Sequence, residues 1–125
     1  MEARPDPGVT VVRVYDHVPR PPGAYRVLVD RLWPRGVTRD AADIDAWSTD
    51  CAPSSDLRRW YGHVPERFGE FARRYRAELA TGEAAAAVGE LRARAGAGPL
   101  VLVTATRDVA RSGAEVLRAV IAGEV

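Results

Sequence analysis

Apolar residues recur along this chain in two rhythms, one suited to strands and one to helices. Val9 to Tyr15 is valine-rich with Arg13 set inside it, and Tyr25 to Val29 carries the unbroken run Val27-Leu28-Val29. Both read as β-strands, and three consecutive apolar residues imply burial on both faces, as in a parallel sheet. Pro19, Pro21, Pro22 and Gly23 make the loop between them, because proline lacks the N–H that a helix or strand interior needs. Pro99 introduces a third strand, Leu100 to Val103.

The helical rhythm is clearest where Phe68, Phe71, Ala72, Tyr75 and Leu79 fall on one face, with Pro65 suited to the first turn and Gly82 placed to end the helix. Before it, Ser54 or Ser55 can N-cap a helix through Leu57, Arg58 and Trp60, with Asp56 favourable in its first turn. Glu83 to Ala95 is alanine-rich and closes at Gly96-Ala97-Gly98. Val109 to Ala122 predicts a terminal helix through Val109, Val116, Leu117, Val120 and Ile121. A short helix is expected from Asp40, and a fourth strand is sought within residues 37–50.

The order strand, strand, helices, strand, helix defines an α/β class: one small domain with a short, largely parallel sheet flanked by helices. Residues 1–8, with two prolines and a glycine, are expected to form a flexible leader ahead of a single domain at 9–125.

Composition narrows the chemistry. All 18 basic residues are arginine, and lysine, asparagine and glutamine are absent. That excludes a Schiff-base lysine and a Walker-type phosphate loop, so any fixed cation in a site is a guanidinium. The net charge of +1 disfavours a dedicated nucleic-acid binder. Cys51 is the single cysteine, which rules out an intrachain disulfide and a cysteine-rich zinc site. No apolar run is long enough to span a bilayer, and the N-terminus lacks a signal peptide's apolar region, so a cytoplasmic protein without a membrane partner is expected.

Each strand ends in polar residues: Tyr15-Asp16, Asp30-Arg31, and Thr104-Ala105-Thr106-Arg107-Asp108. In open parallel α/β sheets ligands gather at those carboxyl ends, so the three endings are expected to converge. The loop Asp30-Arg31-Leu32-Trp33-Pro34-Arg35-Gly36 crowds two guanidiniums, a carboxylate and an indole together, groups that are costly to bury unpaired. Arg31 and Arg35 offer forked donors for a carboxylate or phosphate, and Arg107 could add a third beside the positive end of the terminal helix. The alternative is a network that only braces the loops, with Asp30 on Arg31 or Arg107 and Asp108 on Arg107. Asp16, Asp30 and Asp108 could hold magnesium, but the nearby arginines oppose it, and no metal is expected.

Trp33 either lines a pocket or packs, Trp47 is expected in the core, and Trp60 and Tyr61 either cover a ligand or form a helix face. His63, in a turn between helices, is the better of two histidines for proton transfer. Cys51 has no evident base beside it, and Ser54 reads as a cap rather than a nucleophile. Arg67, Glu70, Arg73, Arg74 and Glu78 read as a solvated, salt-bridged helix face.

The chain resembles the DUF488 family, in its short bacterial YeaO-like branch. The resemblance runs through Arg13-Val14-Tyr15-Asp16, the block Tyr25 to Gly36, Trp47, Ala52-Pro53-Ser54, Leu57-Arg58, His63, Phe71, Tyr75 and Glu78-Leu79. It implies a compact cytoplasmic α/β domain and draws attention to Arg13, Asp30, Arg31, Trp33, Arg35, Ser54, Arg58 and His63, without assigning them roles. The chain departs from the family pattern at Thr104 to Asp108, where Arg107 stands for a lysine, and at Ser112-Gly113, which replace an asparagine-containing pair. Cys51 also stands where a small or apolar residue is expected.

The leading expectation is a domain that binds a small anionic molecule through Arg31, Trp33, Arg35, Arg58 and Arg107, with Asp30 or His63 able to move a proton. An enzyme and a binding protein both fit, and no cofactor is implied. The competing expectation is a non-enzymatic module whose arginine-rich loops dock an acidic protein or RNA. Sequence-specific DNA binding is a weaker third, since no helix-turn-helix signature is present.

Overall fold

The computed structural model describes residues 8–124, so the expected leader lies, apart from Gly8, outside the described residues. Its sheet holds four strands, β1 (Val9–Arg13), β2 (Tyr25–Leu28), β3 (Ala46–Trp47) and β4 (Leu100–Thr104), in the order β1-β4-β2-β3. Every neighbouring pair is parallel; Leu100 of β4 lies level with Val9 of β1 and Tyr25 of β2. The last strand is therefore central. Its residues Leu100 to Thr104 are all buried, as an unbroken apolar run requires.

The pleat sends alternate side chains to two cores. Leu100 and Leu102, with Val27 and Val29, meet Phe71, Tyr75 and Leu117 on one face. Val101 and Val103, with Leu28, meet Val14, Ala24 and Ala42 on the other. The first face is covered by α2 (Ser55–Tyr61), α3 (Phe68–Leu79), α4 (Gly82–Ala97) and α5 (Gly113–Ala122); the second packs against the four-residue α1 (Arg39–Ala42) and its adjoining loops. The α/β class and parallel sheet agree with the sequence reading, and the fourth strand lies inside the stretch where it was sought.

Several boundaries differ from expectation. The first strand stops at Arg13, and Val14–Asp16 tighten into a 3-10 turn closed by His17 in the left-handed region at φ 50°. The terminal helix starts at Gly113, because Ser112 turns its side chain back to accept the Glu115 N–H at 3.1 Å; Val109–Arg111 form a separate 3-10 turn. Gly82 does not end α3 but opens α4, with φ 62° at the tight junction. Trp47 is not a core residue: it sits on the short edge strand and is 40% exposed.

One buried charge was not anticipated. Arg26 in β2 is only 3% exposed, and its guanidinium donates to the main-chain oxygens of Asp43 at 2.6 Å and Ala42 at 3.2 Å, closing the end of α1. Asp45 accepts the Arg26 main-chain N–H at 2.9 Å and pairs with Arg20 at 2.7 Å. Burial pulls the Arg26 guanidinium below its ordinary value, against the pull of Asp43. A buried cation is tolerable only when its donors are satisfied in this way.

Candidate functional site

A cavity of about 320 Å³ opens where β1, β2 and β4 end. Tyr15 follows β1, Asp30 and Arg31 follow β2, and Ala105 and Thr106 follow β4, so all three strand endings meet there. The facing wall comes from Pro53, from Arg58 and Tyr61 of α2, from His63, and from the first turn of α5.

Asp30 ties two of the strand ends together. One carboxylate oxygen accepts the Thr104 hydroxyl at 2.7 Å and the other accepts the Ala105 N–H at 2.8 Å. Burial raises its pKa above the ordinary carboxylate value, while those two hydrogen bonds and the nearby His63 oppose the rise. The expected bracing pairs do not form. Asp30 bonds to Thr104 and Ala105 instead of an arginine, and Asp108 pairs with Arg111 at 2.8 Å instead of Arg107, one helical turn being a better spacing than adjacency.

Arg31 reaches across to the other wall and donates to the main-chain oxygens of Pro53 at 3.0 Å and Ala52 at 3.4 Å. These carbonyls position the guanidinium without cancelling its charge. Arg35 and Arg58 line the same cavity and are exposed. Among the described residues, none of these three arginines forms a salt bridge with a carboxylate. Arg107 is exposed and stands outside the lining, because the helix it was expected to flank begins six residues further on.

The aromatic residues of the cavity have their polar atoms turned to the main chain. Tyr15 donates its hydroxyl to Arg35 O at 2.8 Å, and Tyr61 donates to Arg111 O at 2.7 Å. Trp33 donates its indole N–H to Val37 O at 2.6 Å and packs edge-on against Trp47, with ring centres 5.4 Å apart. Tyr61 also stacks on Phe71 at 4.3 Å. Trp33 thus both packs and lines the cavity.

His63 follows Gly62, and both adopt the left-handed conformation, at φ 58° and 54°. For a residue with a Cβ this costs on the order of 1–2 kcal/mol, tolerated because it turns the chain beside the cavity. The first N–H groups of α5, on Gly113 and Ala114, have no acceptor within their own helix and belong to the cavity wall.

Other sequence candidates stay apart from this chemistry. Ser54 caps α2, accepting the Leu57 N–H at 3.1 Å. The Cys51 thiol is buried, donates to Ser48 O at 3.4 Å and is pushed up to about 11 by desolvation. Glu70 pairs with Arg73 at 2.6 Å and Arg74 at 2.7 Å on the expected solvated face. Glu78 does not share that face: it accepts the Ser54 N–H at 2.8 Å and the Ser54 hydroxyl at 2.6 Å. Asp16, Asp30 and Asp108 do not assemble, and no group of metal-ligating side chains exists among the described residues. No helix there is long and apolar enough to cross a membrane.

Phe71, Ser112 and Gly113 also line the cavity, although sequence reasoning did not place them in a site. Phe71 falls on a regular helical stripe and reads as plain core. Ser112-Gly113 carried the better signal, since a serine before glycine is a natural start for a helix whose N–H groups remain open.

Fold and cavity together define a small parallel α/β domain with a cation-lined cleft at the strand carboxyl ends. A family described as "Inactive DUF488-N3 subclade" matches residues 8–125, and the chain belongs to that family. An uncharacterized protein of Mycobacterium tuberculosis, Rv3073c, is 49% identical over 115 residues, covering 92% of this chain and 94% of its own. The uncharacterized YeaO of Escherichia coli is 43% identical over 72 residues, covering 57% of this chain and 61% of its own. The DUF488 resemblance and its YeaO-like branch are thereby borne out. No solved structure matches the chain.

Proposed function

We propose that this domain binds a small carboxylate- or phosphate-bearing molecule in the cleft and holds it through Arg31, Arg35 and Arg58, with Trp33 as part of the wall. The observation that carries the reading is charge balance: three guanidiniums border one cavity, and the carboxylate among them, Asp30, already accepts two hydrogen bonds. Forked guanidiniums match planar carboxylates and phosphates, and the open N–H groups at the start of α5 favour negative charge in the same space. The concave wall favours a small molecule over docking of an acidic protein or RNA by the same loops.

Asp30 and His63 are the groups able to exchange a proton with a bound ligand, and the strained backbone at His63 supports a role there. The family description "inactive" favours retention of the ligand over its turnover. A cytoplasmic setting fits the single unpaired thiol.

Native mass spectrometry of freshly purified protein tests the reading. An anionic adduct should accompany the wild-type chain and be lost from the Arg35→Ala, Arg58→Ala double variant. Thermal unfolding with phosphate monoesters and carboxylates at fixed ionic strength should show stabilisation of the wild type alone. Equal stabilisation of wild type and double variant would remove the arginine-lined cleft as the site.

A further inference from the structure

Resting on the anion-binding reading, we propose that the ligand class is an aromatic anion: a single planar ring carrying one phosphate or carboxylate group. Tyr15, Tyr61 and Trp33 line the cavity, and each gives its O–H or N–H proton to a main-chain oxygen, so none of the three has that donor free for a ligand. Phe71, stacked on Tyr61, adds a fourth ring. A cleft built for bare phosphate or a short carboxylate would gain from hydroxyl and indole donors turned inward; here those donors are spent elsewhere.

Leu32 strengthens the point. It borders the cavity yet is 60% exposed, an apolar side chain with no protein surface to cover it. Pro34 and Pro53 extend the apolar lining. Rings pack on rings edge-to-face or offset, and a guanidinium stacks on an aromatic face as well as it binds an anion, so one ligand of this class engages both halves of the wall. The volume of about 320 Å³ sits at the small end of ligand cavities, which run from about 300 to 1,000 Å³, and so suits one ring rather than a dinucleotide or a multi-ring cofactor.

The test uses the full chain and four pairs of probes at fixed ionic strength, read by tryptophan fluorescence and by saturation-transfer NMR. The pairs are phenyl phosphate with inorganic phosphate, benzoate with acetate, benzoate with cyclohexanecarboxylate, and phenyl phosphate with phenol. At least one aryl anion should bind tenfold or more tightly than its non-aromatic partner and tenfold more tightly than phenol. Arg58→Ala should reduce that affinity at least fivefold. Leu32→Ser, an exposed change that leaves the fold intact, should narrow the gap between aryl and non-aryl anions.

If inorganic phosphate matches phenyl phosphate and either acetate or cyclohexanecarboxylate matches benzoate, the aromatic class is overturned while anion binding stands. If phenol matches both aryl anions, or no anion binds, or Arg35→Ala and Arg58→Ala leave binding unchanged, the anion reading falls and takes this inference with it.

Discussion

Glu78 holds both the N–H and the hydroxyl of Ser54, at 2.8 and 2.6 Å, so the last turn of α3 clamps the residue that starts α2. Ser54 in turn accepts the Leu57 N–H at 3.1 Å, which makes a three-residue relay across two helices. Loss of an N-cap side chain costs about 1 kcal/mol, and loss of a hydrogen bond to a charged group about 1.5–3 kcal/mol. Ser54→Ala and Glu78→Ala should each lower stability in urea unfolding, and the double variant should lose less than the sum by roughly 0.5 kcal/mol or more. Strict additivity would mean that the clamp contributes nothing.

Asp30 makes a pH prediction with a definite sign. Its pKa is raised in the folded chain from the ordinary 3.8, so the folded state holds more protons than the unfolded one above that value. Stability therefore falls as pH rises from about 4 through the raised pKa, where the buried carboxylate ionises. Asp30→Asn removes this term, so the stability of wild type relative to the variant should decline with rising pH across that window. Urea titrations at successive pH values would measure it, and a relative stability that climbs with pH would contradict the assignment.

Cys51 should be chemically quiet. Its pKa of about 11, against an ordinary 9.0, lowers the thiolate fraction about 100-fold at any pH below both, before burial is counted. A thiol reagent should label the native chain at least that much more slowly than the urea-unfolded chain. Comparable rates would place the thiol at the surface.

Two leucines should respond oppositely to truncation. Leu102 is fully buried at the centre of β4, and Leu102→Ala should cost about 2–5 kcal/mol. Leu32 is exposed, and Leu32→Ala should stay within about 0.5 kcal/mol of wild type. A large loss at Leu32 would show that it braces the fold rather than borders a cavity.

How far the residues announced this architecture depended on whether the decisive contacts were local. Val27-Leu28-Val29 and Leu100 to Val103 revealed the buried strands because burial on both faces demands unbroken apolar runs. Asp30, Arg31 and Arg35, which line the cavity, stood out because charged groups follow directly on an unbroken apolar run; Arg58 and His63, which line it too, stand beside no such run and drew notice through the family resemblance and, for His63, its place in a turn between helices. Trp47 was misread because large aromatics default to the core, and nothing local says that its strand has two residues and lies at an edge. Glu78 was misread because its helical neighbours are arginines, whereas its true partner is 24 residues away. Arg107 looked like a site residue only while the terminal helix was drawn from Val109; the Ser112 cap moves that helix's start away from it. Arg26 was passed over inside a strand, although a cation between Tyr25 and Val27 needs an acceptor and so foretold a partner such as Asp43.

The strand order β1-β4-β2-β3 also bears on how the chain comes off the ribosome. β1 and β2 never touch as neighbours; each pairs with β4, which is translated last. Until Leu100 to Thr104 emerge, β1 has no strand to pair with and β2 has only the two-residue β3, and loop closure over most of the chain must precede the pairing with β4. A chain halted before β4 thus lacks the strand that joins β1 to β2, and completion of the sheet waits on the last third of translation.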